Sequence, residues 1–174
     1  KPRFVLGSLG PGTKLPSLGH TTYENLKIAY YTAAKGLSDS GCDALLVETS
    51  QDLLQVKAAV NGCRQAINES DRDIMLIAQV TVETTGTMLL GSEIGAALNT
   101  LEPMGIDLIG LNCATGPTEM SEHLRYLSKN AKIAISVMPN AGLPVLGANG
   151  ASYPLGPEEL AIALDGFIDE YGIS

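Results

Sequence analysis

The chain has 174 residues, 45 % of them apolar and 17 % charged, a composition that suits one globular domain able to bury a good core. Its formal net charge of −8 argues against a nucleic-acid partner, because phosphate binding needs a basic surface. No run approaches the ~18 consecutive apolar residues that span a bilayer. Lys1-Pro2-Arg3-Phe4-Val5-Leu6 is interrupted by Gly7 too early to act as an export signal, so a cytoplasmic location without membrane contact is expected.

Five short runs rich in Val, Ile and Leu predict strands at Arg3–Leu6, Asp43–Val47, Ile74–Val80, Asp107–Leu111 and Lys132–Val137. Near-continuous apolar runs suit strands buried on both faces, as in a parallel sheet. Segments of helical periodicity alternate with them. The first spans Tyr23 to about Leu37 and is introduced by a capping box over Thr21-Thr22-Tyr23-Glu24. The second spans Leu53–Ile67, and the third Glu93–Leu101 with Ser92 as its N-cap. A fourth follows Gly116-Pro117 and turns Met120, Leu124 and Leu127 inward, and a fifth runs from Pro157 to Tyr171. Proline at the first helical position suits both starts, since its missing N–H is one that the first turn leaves unpaired anyway. The order β-α-β-α-β-α-β-α-β-α implies a parallel sheet with right-handed crossovers. Residues 1–174 show no internal domain boundary. The loops Gly10–His20 and Pro139–Pro154 are longer than a connection needs, and such loops in compact domains are usually functional.

An open doubly wound sheet would carry a glycine-rich phosphate turn after one strand, and no G-x-G-x-x-G follows any strand here. Instead every strand ends in polar or turn residues: Ser8, then Glu48-Thr49-Ser50, then Gln79 and Thr81, then Asn112-Cys113, then Asn140. A (β/α)8 TIM barrel gathers all its strand ends on one axis, so polar residues at each end are what a barrel mouth needs. A full barrel takes about 250 residues and eight units. This chain is expected to supply about five β/α units, strands 3 to 7, as an internal portion of a longer polypeptide.

Three residues are candidates for chemistry. Cys113, at a strand end, suits a buried structural thiol, a metal ligand or a nucleophile. A nucleophilic Cys needs a base, normally His. The chain's two histidines are His20, in a loop, and His123, expected on the outer face of a helix. A metal site needs three or four ligands, and no second Cys lies at metal spacing. Cys42 and Cys63, in helix-like surroundings, are expected to be buried thiols, and an odd cysteine count argues against a disulfide framework. Glu48 closes an apolar strand, where a carboxylate is costly unless paired, either in a structural salt bridge or with the ammonium group of a ligand. Asp52 is expected to cap the following helix. Asn140 sits in a Pro- and Gly-flanked turn that suits Asn for local reasons as well as for a ligand contact. No lysine lies at a strand end, which disfavours Schiff-base chemistry of the aldolase kind.

The runs Leu6-Gly7-Ser8-Leu9-Gly10-Pro11, Leu46-Val47-Glu48-Thr49-Ser50-Gln51-Asp52, Gly110-Leu111-Asn112-Cys113-Ala114-Thr115-Gly116-Pro117 and Met138-Pro139-Asn140-Ala141-Gly142, in this order, resemble the homocysteine-binding module of cobalamin-dependent methionine synthases. The resemblance covers essentially the whole chain. It implies a barrel that binds zinc through three cysteines. The ion lowers the pKa of the homocysteine thiol, whose thiolate takes a methyl group from methylcobalamin, itself methylated from methyltetrahydrofolate. Cys113 matches the first zinc cysteine and Glu48 the acidic residue that holds the substrate amino group. Asn140 matches an Asn that approaches the zinc when substrate is absent. The implied partners are homocysteine and the folate- and cobalamin-binding domains of the same polypeptide. The family's other zinc ligands, an adjacent Cys-Cys pair, and its first two strands are not in these 174 residues, so the chain alone is expected to be inactive. Two alternatives stand beside this: a barrel that binds without chemistry, and a homocysteine methyltransferase using betaine or S-methylmethionine.

Overall fold

A computed structural model describes residues 2–147 and 150–173. Five parallel strands form one sheet: β1 (Leu6–Leu9), β2 (Ala44–Ser50), β3 (Met75–Val80), β4 (Leu108–Asn112) and β5 (Ala134–Met138). Their order in the sheet is their order in the chain. The helices α1 (Tyr23–Asp39), α2 (Leu53–Asn68), α3 (Ile94–Leu101), α4 (Pro117–Asn130) and α5 (Pro157–Tyr171) follow the strands in turn.

The order alone implies that every crossover runs the same way round, which puts all the helices on one side. The packing agrees. One large core joins Leu45, Val47, Leu76, Ala78, Ile109 and Leu111 of the strands to buried residues from all five helices, among them Ala34, Val60, Leu98, Leu124 and Phe167. The alternate strand positions form a small second cluster, Ala44, Leu46 and Ile77 with Leu108, which contains no helical residue. Helices on one face only are what a barrel wall requires, whereas a doubly wound sheet has helices on both.

Register at the start of two strands is set by aspartates. The Val5 N–H donates to Asp43 Oδ2 at 2.7 Å and Val5 O accepts from Asp43 N at 2.8 Å. Asp107 repeats both bonds with Leu76, at 2.7 and 2.8 Å. The first strand therefore lies later than the apolar run suggests: it spans Leu6–Leu9, and Phe4 and Val5 stay exposed ahead of it. Gly7 is admitted to the strand because Leu37 of α1 packs where a Cβ would stand.

The other expected strands and the five helices are present. Thr22 is the N-cap of α1, accepting from Asn25 N at 3.2 Å, so Glu24 lies too early to close a capping box and pairs with Lys27 instead. Glu93, not Ser92, is the N-cap of α3, with no side-chain cap bond. The long segment after β5 is not all loop. It contains a small antiparallel hairpin, Val145–Gly147 with Gly150–Ser152. The loop Gly10–His20 is tied down: Asp52 accepts from Ser17 N and Oγ at 3.0 and 2.7 Å while also capping α2 through Leu54 N at 2.9 Å. Buried Gln55 and Tyr30 both donate to Pro11 O. Cys42 lies in the turn before β2 rather than on a helix; it and Cys63 are buried, and all three cysteines are free thiols. No helix among the described residues is long and apolar enough to cross a membrane.

Candidate functional site

Side chains alternate along a strand, so the face without helices carries Ser8 on β1, Glu48 on β2, Gln79 on β3, Asn112 on β4 and Ser136 on β5. Toward the N-terminal ends that face is apolar, with Ala44, Leu46, Ile77 and Leu108. Toward the C-terminal ends it is polar. The change in character occurs within single strands, and it defines the site.

The site has a floor. Gln79 Nε2 donates to Ser136 Oγ at 2.7 Å, and both residues are buried. β4 lies between them in the sheet, and the residue registered with both is Gly110. A Cβ at Gly110 would strike the Ser136 carbonyl, so glycine keeps that strand low enough for Gln79 to cross over it. The Gln79 Oε1 has no hydrogen-bond partner among the described residues.

Above the floor, Asn112 is the centre of the cluster, and it is only 2 % exposed. Its Nδ2 faces Thr49 Oγ1 at 2.8 Å, Cys113 Sγ at 3.3 Å and Glu48 Oε2 at 3.4 Å. Its Oδ1 accepts from Thr49 N at 2.8 Å, and its backbone carbonyl accepts from Thr81 Oγ1 at 3.0 Å. Ser8 Oγ donates to the other Glu48 oxygen, Oε1. Glu48 is thus held on both oxygens by neutral donors, and it makes no ion pair among the described residues. Among the described residues the salt-bridge alternative for this carboxylate is not realised, and the carboxylate faces the open ends of the strands.

The backbone here is strained. β2 bulges between Val47 and Ser50, and Thr49 has φ 59°. Cys113 and Ala114 have φ 57° and 56°. Left-handed conformations cost non-glycine residues about 1–3 kcal/mol each and persist where the surroundings over-determine them. The Asn112 side chain does this for Thr49. For Cys113, its N–H donates to Met138 O at 3.2 Å and its carbonyl accepts from Thr115 N at 2.6 Å. The result is a half-buried thiol turned back over its own strand end, 3.9 Å from Thr49 Oγ1.

Asn140 reaches this region through its backbone. Its N–H donates to Thr115 O at 3.1 Å, fastening the segment after β5 to the one after β4, and no hydrogen bond to its side-chain amide is formed among the described residues. Gly116 closes the same seam, since a Cβ there would strike the backbone of Gly142, and Gly142 in turn leaves room for Pro154.

The structure therefore joins Glu48 and Cys113 through Asn112 and leaves Asn140 one segment away. Both histidines lie elsewhere. His20 is exposed and accepts from Leu15 N at 3.3 Å, within its own loop. His123 on α4 is half-buried rather than on the outer face, and burial lowers its pKa below the usual histidine range. Sequence reasoning gave Ser8, Thr49, Gln79 and Asn112 no role beyond that of polar strand ends at a barrel mouth. For Ser8, Gln79 and Asn112 the signal was present in the alternation of each strand, which aims them at the same face as Glu48, whereas Thr49, next to Glu48, reaches the cluster only through the β2 bulge. Among the described residues no three His, Cys, Asp or Glu side chains are grouped to hold a metal ion. The donor set still fits one corner of a zinc site: a half-buried thiol at a strand end, its sulfur in contact with Asn112 and Thr49.

The sequence model of the homocysteine S-methyltransferase family matches residues 1–174. The chain is 69 % identical over 172 residues to the methionine synthase of Mycobacterium tuberculosis and 68 % identical to that of Mycobacterium leprae. Each match takes in 99 % of this chain and 14 % of the relative's length. Among solved structures, the apo form of the homocysteine methyltransferase MmuM from Escherichia coli superposes with a TM-score of 0.66 at 20 % identity, over 80 % of this chain and 50 % of that one. Its metallated form gives 0.61 at 19 % identity, over 80 % and 49 %. At such identities these two likenesses speak for the fold alone.

Proposed function

The chain belongs to the homocysteine S-methyltransferase family, and from that premise we propose that it is the central part of a (β/α)8 barrel, residues 1–174 forming a single unit within it, that methylates the homocysteine thiol to give methionine. In this reading it works inside a longer cytoplasmic polypeptide of the methionine synthase type, whose other domains bind folate and carry methylcobalamin. The observation that supports it best is the single hydrogen-bonded cluster of Ser8, Glu48, Asn112 and Cys113 at the strand ends.

Glu48 receives the substrate ammonium group. Its two oxygens are oriented by Ser8 and Asn112, and among the described residues no cation pairs with it, so it is available to a ligand. Cys113 is one zinc ligand, with the others supplied from outside this chain. When bound, zinc lowers the pKa of the substrate thiol so that a thiolate is the nucleophile. Asn112 and Thr49 hold Cys113 Sγ toward the open side of the sheet. Asn140 stands at the adjoining segment, where its uncommitted amide suits a ligand contact when substrate is absent.

Metal analysis of the intact protein and its Cys113→Ser variant tests this. The expected outcome is stoichiometric zinc in the wild type, lost on substitution together with methyl transfer to homocysteine. Full zinc retention in the variant overturns the ligand assignment. Absence of homocysteine methylation in the zinc-loaded wild type overturns the function and leaves the non-catalytic binding module.

A further inference from the structure

Asn112 is the one residue among those described whose side chain touches both ends of the cluster. A single nitrogen lies 3.4 Å from Glu48 Oε2 and 3.3 Å from Cys113 Sγ. The carboxylate and the sulfur therefore cannot be farther apart than those two contacts laid end to end. The amide itself cannot swing. It is buried, its oxygen is fixed by the Thr49 N–H, its nitrogen by Thr49 Oγ1, and its backbone by Thr81. The strained backbone at Thr49 and Cys113 adds a second constraint, because relaxing either would pull the amide off its partners.

We propose that Asn112 is a positioning residue that sets the distance from the ammonium-holding carboxylate to the sulfur centre, and so selects amino thiols by chain length. This rests on the reading of Glu48 and Cys113 given above. Cysteine and homocysteine differ by one methylene between the α-carbon and the thiol. A site with a fixed anchor-to-sulfur spacing discriminates a single methylene by about 10- to 200-fold. A site whose two ends drift loses that discrimination while both substrates can still bind.

The test compares the intact wild type with Asn112→Asp, which keeps the shape and replaces the donating NH2 by an oxygen that repels Glu48. The expected result is a rise in homocysteine KM of about 10- to 100-fold, the scale of a lost hydrogen bond to a charged group. The ratio of kcat/KM for homocysteine over cysteine falls by about tenfold or more. A readout independent of turnover is calorimetric binding of methionine and S-methylcysteine, whose preference for the longer ligand shrinks in parallel. A purely structural role would weaken both ligands equally, so a folded variant with both ratios unchanged overturns the proposal. Thr49→Val covers the case in which Asn112→Asp does not fold. It keeps Asn112 and removes the two contacts of Thr49 Oγ1, to Asn112 Nδ2 and to Cys113 Sγ, with the same loss of preference expected on a scale of about threefold, and an unchanged preference again overturns the assignment. A wild type that does not methylate homocysteine at all is a distinct outcome, since it removes the functional reading on which the inference rests.

Discussion

The two faces of the sheet are made by the same five strands and differ in almost everything else. The helix-covered face holds Leu45, Leu76, Ile109 and Leu111 at 1 % exposure or less, locked against side chains from every helix. The other face has a small apolar patch at one end and Ser8, Glu48, Gln79, Asn112 and Ser136 toward the other. Apolar packing is concentrated on the first and polar, hydrogen-bonded groups on the second. The separation works because alternation lets a strand change one face without disturbing the other.

Thiol reactivity gives the largest contrast. Cys63 lies under the helical layer, where burial pushes its thiol up to about 12. At pH 8 its thiolate fraction is then about a thousandfold below that of an ordinary thiol, and the thiolate is the reactive form. Iodoacetamide is expected to label Cys113 in the native, metal-free protein and to leave Cys63 and Cys42 untouched until unfolding. Native labelling of Cys63 would break the comparison at its root. Next comes Leu76→Ala, which opens a cavity in the covered face and is expected to cost about 3 kcal/mol in denaturant unfolding of the intact protein. Its homocysteine KM should not move. Glu48→Gln should do the reverse: homocysteine KM rises about thirtyfold, near 2 kcal/mol, with Tm within about 2 °C of wild type.

The smallest effect separates the helical layer from the site by pH. His123 has a lowered pKa because it is half-buried on α4. The unfolded chain therefore takes up this proton first as pH falls. The stability linked to His123 is fully present above the ordinary histidine value and is lost as pH drops below it. His123→Gln should flatten stability between about pH 7 and 5 by less than about 0.5 kcal/mol, the solvent on its exposed side screening the rest. The profile of methyl transfer should be unaffected, because His123 touches nothing in the Asn112 cluster.

Much of this was legible in the chain. The periodicity of Tyr23–Leu37, Leu53–Ile67 and Pro157–Tyr171 located those helices closely, because an amphipathic helix writes its buried side into every turn. Asp52 was identifiable as a cap from its place before Leu53. The start of β1 was not, because Gly7 is a poor strand former and is accepted only for the sake of Leu37 packing beside it. Glu24 and Ser92 carried capping chemistry one position away from where the helices begin. The paired strands Val145–Gly147 and Gly150–Ser152 left no sign beyond glycines and short apolar runs. The candidate residues divided in the same way. Cys113 and Glu48 stood out because a thiol and a carboxylate are conspicuous after apolar runs. Asn112 did not, since its role depends on Glu48 and Thr49, more than sixty residues earlier.

By itself, then, the sequence determined the alternation of strands and helices, the one-way winding of the sheet, and the strand ends as the place where polar groups gather. These follow from local periodicity and from the handedness of the crossover, which need no knowledge of distant contacts. Only the tertiary structure decided that Glu48 would be held by neutral donors, that Gln79 would cross Gly110 to Ser136, and that one buried amide would join the carboxylate to the thiol. Those are matters of register between strands, and a shift of one residue in any pairing would send the same side chains to the opposite face.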